Sequence, residues 1–312
     1  MRPAIAVVNS LPSVTLEVLE ATFPLYHLWQ ANDTTSYLAE IQDKINGLAA
    51  FGATPITSDL MDALPRLSII ASMGAGVDHI DLEAARVRSI RVTNAPDVLT
   101  EDVADIGIGL LLCSARHLVA GDRFVRSGRW LKGAMPLANR IAGSSLGILG
   151  FGRIGRAVAR RAEALGMSIA YYGLHRKSDV PYRHYDDLTA MARDVDFLMI
   201  TCPGGAPTRQ LVNAQVLKAL GSKGIVINIA RGSVIDESAL VQALQQGVIG
   251  GAALDVFADE PRVPEALFTL DNVVLQPHVG SATHETRAAM GQLMIDNLKA
   301  HFAGKPLLTP VV

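Results

Sequence analysis

The sequence predicts an α/β protein of two domains, each a parallel sheet covered by helices, with a cleft between them. Three observations carry this reading. At 312 residues the chain is long enough for about two domains. Short apolar runs alternate with helix-spaced segments in both halves, the pattern of β-α-β units. Leu146 to Gly155, LGILGFGRIG, then places three glycines in the spacing G-x-G-x-x-G between an apolar run and a helical pattern.

Taken in order, residues 1–98 contain apolar strands at Ile5–Val8, Gly47–Phe51, Leu67–Ala71 and Ile90–Thr93. Helical spacing is found at Thr15–Ala21, Tyr37–Ile45 and Asp59–Leu64, the last stopped by Pro65. Asn94–Asp97 contains Pro96 and marks a crossing into the second domain. Thr100-Glu101-Asp102 opens a long apolar helix through Val119, with acidic residues in its first turn. Residues 121–145 are less regular, an arm or loop rather than core. From 146 onward, strands are expected at 146–149, 168–172, 196–201, 225–229, 250–255 and 273–276. Helices are expected at 154–165, 186–192, 209–219 and 237–246, the last capped by Asp236 and stopped by Gly247. One more amphipathic helix, 284–302, follows a nucleotide fold already complete near 280, so it is expected to return to the first domain. The expected division is 1–98 plus 284–312, and 99–283.

Composition excludes several classes. Hydrophobic residues make up 49% and charged residues 19%, which suits a globular core. A net charge of -2 gives no basic footprint for nucleic acid. The run Ala4–Val8 is too short for a signal-peptide core, and Ile106–Cys113 falls far short of a membrane span. Cys113 and Cys202 sit in apolar surroundings without ligand spacing and read as reduced core thiols. His79, His117 and His284 have no partner spacing that suggests a metal, so no metal site is expected. These features point to a soluble, cytoplasmic protein with no membrane or nucleic-acid partner.

The glycine stretch has a physical reading. Gly150 permits a tight turn, Gly152 lets a pyrophosphate approach the backbone, and Gly155 lets helix and strand pack closely. Arg153 and Ile154 open the helix, whose orphan N–H groups and dipole favour phosphate. A plain turn in a chain with 27 glycines is the competing reading, and the strand–turn–helix context favours the dinucleotide. The domains are accordingly Rossmann-like or flavodoxin-like.

In such sheets ligands lie beyond the carboxyl ends of the strands. Arg231 follows the strand IVINIA, Asp255 ends GGAALD with Glu260 five residues on, and His278 ends NVVLQPH. A dinucleotide enzyme that reduces a ketone needs a proton donor, and histidine suits that task near neutral pH. A carboxylate beside it favours imidazolium, which makes Glu260 the natural partner of His278. The planar fork of Arg231 matches a carboxylate. Together they imply a small 2-oxo or 2-hydroxy acid as substrate. Each residue alone has a bland alternative: Arg231 paired with Asp236 or Glu237, Glu260-Pro261 as an exposed turn, His278 as a structural histidine.

GFGRIG, IARGSVIDESAL, ALDVFADEP and LQPHVGSAT occur in the order of the D-2-hydroxyacid dehydrogenase family, and the chain resembles it over nearly its whole length. The resemblance implies that Arg231, Glu260 and His278 are catalytic. ASMGAGVDHIDL is similar too, which implies that backbone N–H groups around Met73, Gly74, Ala75 and Gly76 bind the substrate carboxylate. TEDVADIGIGLLL and VRSGRW resemble the glyoxylate/hydroxypyruvate reductase branch, with its hydroxyphenylpyruvate and 2-ketogluconate reductases. There the arm tryptophan, here Trp130, reaches a partner subunit's pocket, and a homodimer is implied; packing at a dimer interface is the other reading of Trp130.

NAD binding would call for an acidic residue about twenty positions after the glycines. The chain instead reads Tyr171-Tyr172-Gly173-Leu174-His175-Arg176-Lys177, and Asp179 comes too late. A basic cluster attracts the extra phosphate of NADP, so NADPH is the expected cofactor with NADH possible. Leu174 stands where related NADP enzymes carry an arginine, and His175, Arg176 and Lys177 are left to take its place. Cys202 and Pro203 should border the adenosine. Asp255 either bonds the carboxamide or caps a turn. Ile229, Ala230 and Gly280 complete the expected cofactor contacts. The expected reaction is reduction of glyoxylate or hydroxypyruvate. The rivals are a phosphite- or formate-oxidising relative and a dinucleotide-sensing, corepressor-like binding protein.

Overall fold

A computed structural model describes residues 2–52 and 54–312. The chain divides into two compact units, Met1–Leu99 with Ala282–Val312, and Thr100–Ser281.

The first unit is built on five parallel strands: β1 (Ala4–Val7), β2 (Leu25–His27), β3 (Ile45–Ala50), β4 (Ile69–Ser72) and β5 (Arg91–Thr93), in the order β2-β1-β3-β4-β5. β1, β3 and β4 are almost wholly buried, as expected of strands covered on both faces. Helices α1 (Ser13–Thr22), α2 (Thr34–Ile41), α3 (Ser58–Asp62) and α4 (Leu82–Val87) connect them. The C-terminal helix His284–Phe302 joins this unit against β4 and α1. Gly291 makes the approach to α1 possible, because a Cβ there would lie 2.2 Å from Thr15 Oγ1. The tail then pairs with β5, Val311 N donating to Val92 O at 2.7 Å.

Three features differ from expectation here. β2 is a three-residue edge strand of half-buried side chains, too short to show a period. α4 rests on its cap, the Asp81 carboxylate accepting from Ala84 N at 2.8 Å. α2 runs over 34–41 rather than 37–45, because Asp33 caps Thr35 and Ser36 and Ile45 already belongs to β3.

The second unit has seven parallel strands: β6 (Ser145–Leu149), β7 (Ser168–Tyr172), β8 (Arg183–Tyr185), β9 (Phe197–Ile200), β10 (Ile225–Asn228), β11 (Gly251–Leu254) and β12 (Val273–Leu275). Their order is β12-β11-β10-β9-β6-β7-β8. The direction of winding reverses between β6 and β9, so their carboxyl ends form the switch point where a ligand is expected. The helices are α5 (Thr100–Ala115), α6 (Leu118–Arg126), α7 (Arg153–Ala164), α8 (Leu188–Asp194), α9 (Ala214–Leu220) and α10 (Glu237–Gln245).

The single helix expected from Thr100 to Val119 is two. His117 takes a left-handed φ of 54°, and α6 begins at Leu118, within the expected helix, and runs on into what reads as an arm. α8 and α9 start at Leu188 and Ala214, directly after Asp187 and Asn213, whose side chains cap their first amides, and not at 186 and 209. β8 pairs with β7 and was not expected. Among the described residues no single helix is long and apolar enough to cross a membrane, and no group of three His, Cys, Asp or Glu could hold a metal.

Candidate active site

The turn after β6 is a cradle whose walls are fixed by contact. Gly150 has φ 95°, and a Cβ there would fall 2.5 Å from Cys202 Cα. Thr201 Oγ1 donates to Gly150 O at 2.5 Å, locking the turn to the end of β9. A Cβ on Gly155 would lie 2.5 Å from Gly150 O, so α7 presses directly on the turn. Gly152 is different: nothing lies within 4 Å of where its Cβ would be. α7 starts at Arg153 and Ile154, and its N-cap, Gly152, gives no side-chain cap bond. Open space at Gly152, an N-cap with no side-chain cap bond to the start of α7, fits a pyrophosphate. Cys202 is buried beside it, and burial pushes its thiol up to about 11; Pro203 follows on the exposed side.

Beyond β7 the loop carrying Leu174, His175 and Arg176 borders a hollow of about 550 Å³, closed by Pro181, Tyr182, Arg183, His184 and Asp186. The loop is anchored at Lys177, whose N–H donates to the buried Tyr171 hydroxyl at 2.7 Å. His184 Nε2 lies 3.1 Å from Gly173 O. Asp179, the only nearby acid in the loop, is paired with Arg156 at 2.8 Å, which holds its carboxyl below the usual range. Arg176 is exposed and in no ion pair among the described residues. The rim of the hollow is thus mixed in charge: Arg183 pairs with Asp194 at 3.4 Å, the exposed Asp186 faces His184 at 3.4 Å, and Arg176 is the rim guanidinium left without an ion pair among the described residues.

Arg231, Glu260 and His278 meet at the carboxyl ends of β10, β11 and β12. Asn228, fully buried, shapes the first turn: its side chain accepts from Ala230 N at 3.0 Å and donates to Arg231 O at 2.9 Å. Ile229 and Ala230 are buried behind Arg231, which bonds Ala230 O at 2.7 Å through Nη1. Gly232 lets this turn touch the next one, because a Cβ there would lie 1.9 Å from the Phe257 carbonyl carbon. Asp255 is buried, its carboxylate accepting from Val279 N (2.8 Å) and Gly280 N (2.9 Å). Burial raises its pKa, against those two bonds. His278 N donates to Asp255 O at 2.8 Å, and His278 itself sits at φ 55°. Asp255 therefore supports the loop that presents the histidine.

His278 Nδ1 and Glu260 Oε2 are 2.7 Å apart, and Glu260 Oε1 accepts from Phe257 N at 3.0 Å. Burial pushes the Glu260 carboxyl up, but the His278 bond and charge, the Phe257 amide and the Arg231 charge outweigh it, so its pKa is lowered. An ionised Glu260 only accepts, which puts the proton of that bond on Nδ1 and leaves Nε2 for exchange. The imidazole is 45% exposed and the carboxylate 27%, a reactive tip on a sheltered base.

The remaining candidates lie elsewhere. Met73, fully buried, and Gly74–Gly76 follow β4 in the first unit. Trp130 stands in a short turn, Arg129–Lys132, and is 68% exposed. Sequence reasoning missed Asn228, a lone polar residue in an apolar strand, and Gly232, whose glycine directly after Arg231 was a usable signal.

The D-isomer specific 2-hydroxyacid dehydrogenase, NAD binding domain, matches residues 108–280. The chain is 48% identical over 294 residues to Glyoxylate/hydroxypyruvate reductase A HPR2 of Arabidopsis thaliana, covering 94% of each. It is 44% identical over 311 residues to hydroxyphenylpyruvate reductase of Plectranthus scutellarioides, covering 99% of each. A crystal structure of an NADPH-dependent glyoxylate/hydroxypyruvate reductase from Sinorhizobium meliloti, in complex with NADP and malonate, superposes with a TM-score of 0.95 at 46% identity, covering 100% of this chain and 97% of the other. With its glycine cradle and its paired histidine and glutamate in one parallel sheet, the chain belongs to the D-isomer specific 2-hydroxyacid dehydrogenase family of oxidoreductases.

Proposed function

We propose that this chain is an NADPH-dependent reductase of small 2-oxo acids, with glyoxylate and hydroxypyruvate as first substrates. The observation that carries the reading is the 2.7 Å pairing of His278 with Glu260 on the same strand edge as the glycine cradle. When bound, the reduced nicotinamide supplies the hydride for the carbonyl carbon. His278 Nε2 gives its proton to the carbonyl oxygen, and the ionised Glu260 favours the imidazolium that makes this possible. Arg231 offers its fork to the acid or polarises the ketone. In the loop Met73–Gly76, Met73 N donates to Ala50 O at 2.8 Å and Gly74 N to Ser72 Oγ at 3.3 Å, so the Ala75 and Gly76 N–H groups are the ones that bind the carboxylate, which makes the first unit the substrate-binding one. Ile229, Ala230, Cys202, Pro203 and Gly280 are the further residues assigned to the cofactor in this reading.

The exposed Arg176 guanidinium on the rim of the hollow beyond β7 supports NADPH over NADH. His175, Arg176 and Lys177 stand in for the arginine absent at Leu174. The relatives' printed substrates support the 2-oxo acid class. The test is a panel of glyoxylate, hydroxypyruvate, hydroxyphenylpyruvate and 2-ketogluconate, each run with NADPH and NADH. Turnover of the first two, faster with NADPH, is expected; no turnover of any 2-oxo acid would refute the reading. His278→Ala should lower kcat by about 10²- to 10⁴-fold while NADPH still binds.

The arm supports a homodimer. Five exposed apolar side chains, Leu118, Val125, Trp130, Leu131 and Leu137, cluster within twenty residues of sequence. Light scattering on the wild type and on Leu131→Asp checks this: a dimer that the variant dissociates is expected. The two free cysteines suit a cytoplasmic enzyme.

A further inference from the structure

In the first unit, the loop after β4 turns its carbonyls back and leaves its amides forward. Gly74 O accepts from Ala95 N at 2.9 Å, and Ala75 O accepts from Asn94 Nδ2 at 2.6 Å. A peptide group is planar and trans, so a carbonyl and the following N–H point in opposite directions. Holding Gly74 O therefore aims Ala75 N–H, and holding Ala75 O aims Gly76 N–H. Among the described residues, neither of these two amides donates a hydrogen bond.

Asn94 is itself held from behind by the C-terminal tail. Its carbonyl accepts from Thr309 Oγ1 at 2.5 Å, and its N–H donates to Thr309 O at 3.3 Å. Thr309 Oγ1 also accepts from Asn297 Nδ2 at 2.9 Å. Asn297, fully buried in the C-terminal helix, accepts at Oδ1 from Leu308 N (3.0 Å) and Thr309 N (3.2 Å). Every donor in this chain of bonds has an acceptor, and together they brace Asn94 on the side away from the loop.

We propose that Asn94 is a positioning residue for the substrate carboxylate: by drawing Ala75 O back, it aims the Gly76 N–H at the acid, with Thr309 and Asn297 as its support. This rests on the reading of Met73–Gly76 as the carboxylate-binding loop. An anion bound by an aimed amide loses about 10- to 100-fold in affinity when that charge-assisted bond goes.

The test is steady-state kinetics on Asn94→Ala and Asn94→Asp in the full-length enzyme, with oxalate as competitive probe. The alanine variant should raise the glyoxylate KM and the oxalate Ki at least tenfold, with kcat and the NADPH KM within threefold of wild type. In Asn94→Asp the carboxylate repels Ala75 O until it takes up a proton. The ratio of its glyoxylate KM to that of wild type should therefore fall as pH is lowered, which a merely structural role would not produce. If the alanine variant does not fold, the isosteric aspartate variant carries the test. Oxalate added to ¹⁵N-labelled wild type separates the two levels of the argument. Unmoved Ala75 and Gly76 amide resonances would overturn the loop reading and the proposal with it. Moved resonances, together with wild-type KM and Ki in both variants, would overturn the role of Asn94 alone.

Discussion

Glu260→Gln is the perturbation that most directly probes the acid–base pair. In the wild type, one carboxylate oxygen accepts from Phe257 N at 3.0 Å and the other faces His278 Nδ1 at 2.7 Å. Glutamine keeps the shape but has a single carbonyl. If that oxygen stays on the Phe257 amide, an NH₂ faces Nδ1, which suits only a neutral ring. A hydrogen bond to a charged partner is worth about 1.5–3 kcal/mol, which as lost support for the protonated ring is about 10- to 100-fold in rate. Glyoxylate reduction should therefore be slower than in wild type by about that factor near neutral pH and recover on acidification. Oxidation of the 2-hydroxy acid, which starts from a neutral ring, should suffer less at high pH. Initial rates in both directions across pH 5–10 measure this. A variant whose reduction profile coincides with that of wild type would refute the assignment of Glu260. The same depressed carboxyl adds stability above the ordinary carboxylate range and loses it as pH falls through the folded value. The gap in Tm between wild type and Glu260→Gln should accordingly be widest near neutrality and close in acid.

Gly232→Ala forces a methyl to within 1.9 Å of the Phe257 backbone, so the Arg231 and Glu260 turns must separate. Overpacking of this kind costs about 1–3 kcal/mol, read by urea denaturation. A shift of about 1 Å at a reacting group costs on the order of 10²-fold in kcat, and wild-type kcat in a folded variant would contradict the contact. Arg176→Ala should raise the KM for NADPH about tenfold and leave that for NADH unchanged; an equal effect on both would remove the loop from phosphate recognition. Cys202, buried and with its thiol pushed up to about 11, should resist a thiol reagent at pH 8 until the protein unfolds, which labelling and mass spectrometry would check.

The fold was legible where an element carries its own pattern. β6, β9, β10 and β11 are apolar runs, and α10 has both its Asp236 cap and Gly247 stop. It was not legible where an element borrows its stability. β2 and β8 are three-residue edge strands held by pairing with β1 and β7. The α5–α6 break rests on one left-handed residue, His117, in a stretch with neither Gly nor Pro. The candidate site divides the same way. Arg231, Glu260 and His278 could be found because strand ends carry ligands in open sheets. Gly232 and Asn228 act through distances between turns far apart in sequence, which no local spacing encodes.

Three of the carboxylates around the turn after β11 are held by backbone amides, and their surroundings alone give them different work. Asp255 is fully buried and spends both oxygens on the Val279 and Gly280 amides, so it fixes the backbone that carries His278. Glu237 accepts from Ala258 N at 3.0 Å and so ties α10 to the same turn. Only Glu260 divides its oxygens, one on Phe257 N and one on the imidazole. Because its first oxygen is anchored by a backbone amide, the second meets Nδ1 without ordering a free side chain at each turnover. The first two acids thus fix the places of histidine and glutamate, and the third sets which ring nitrogen is left to trade a proton.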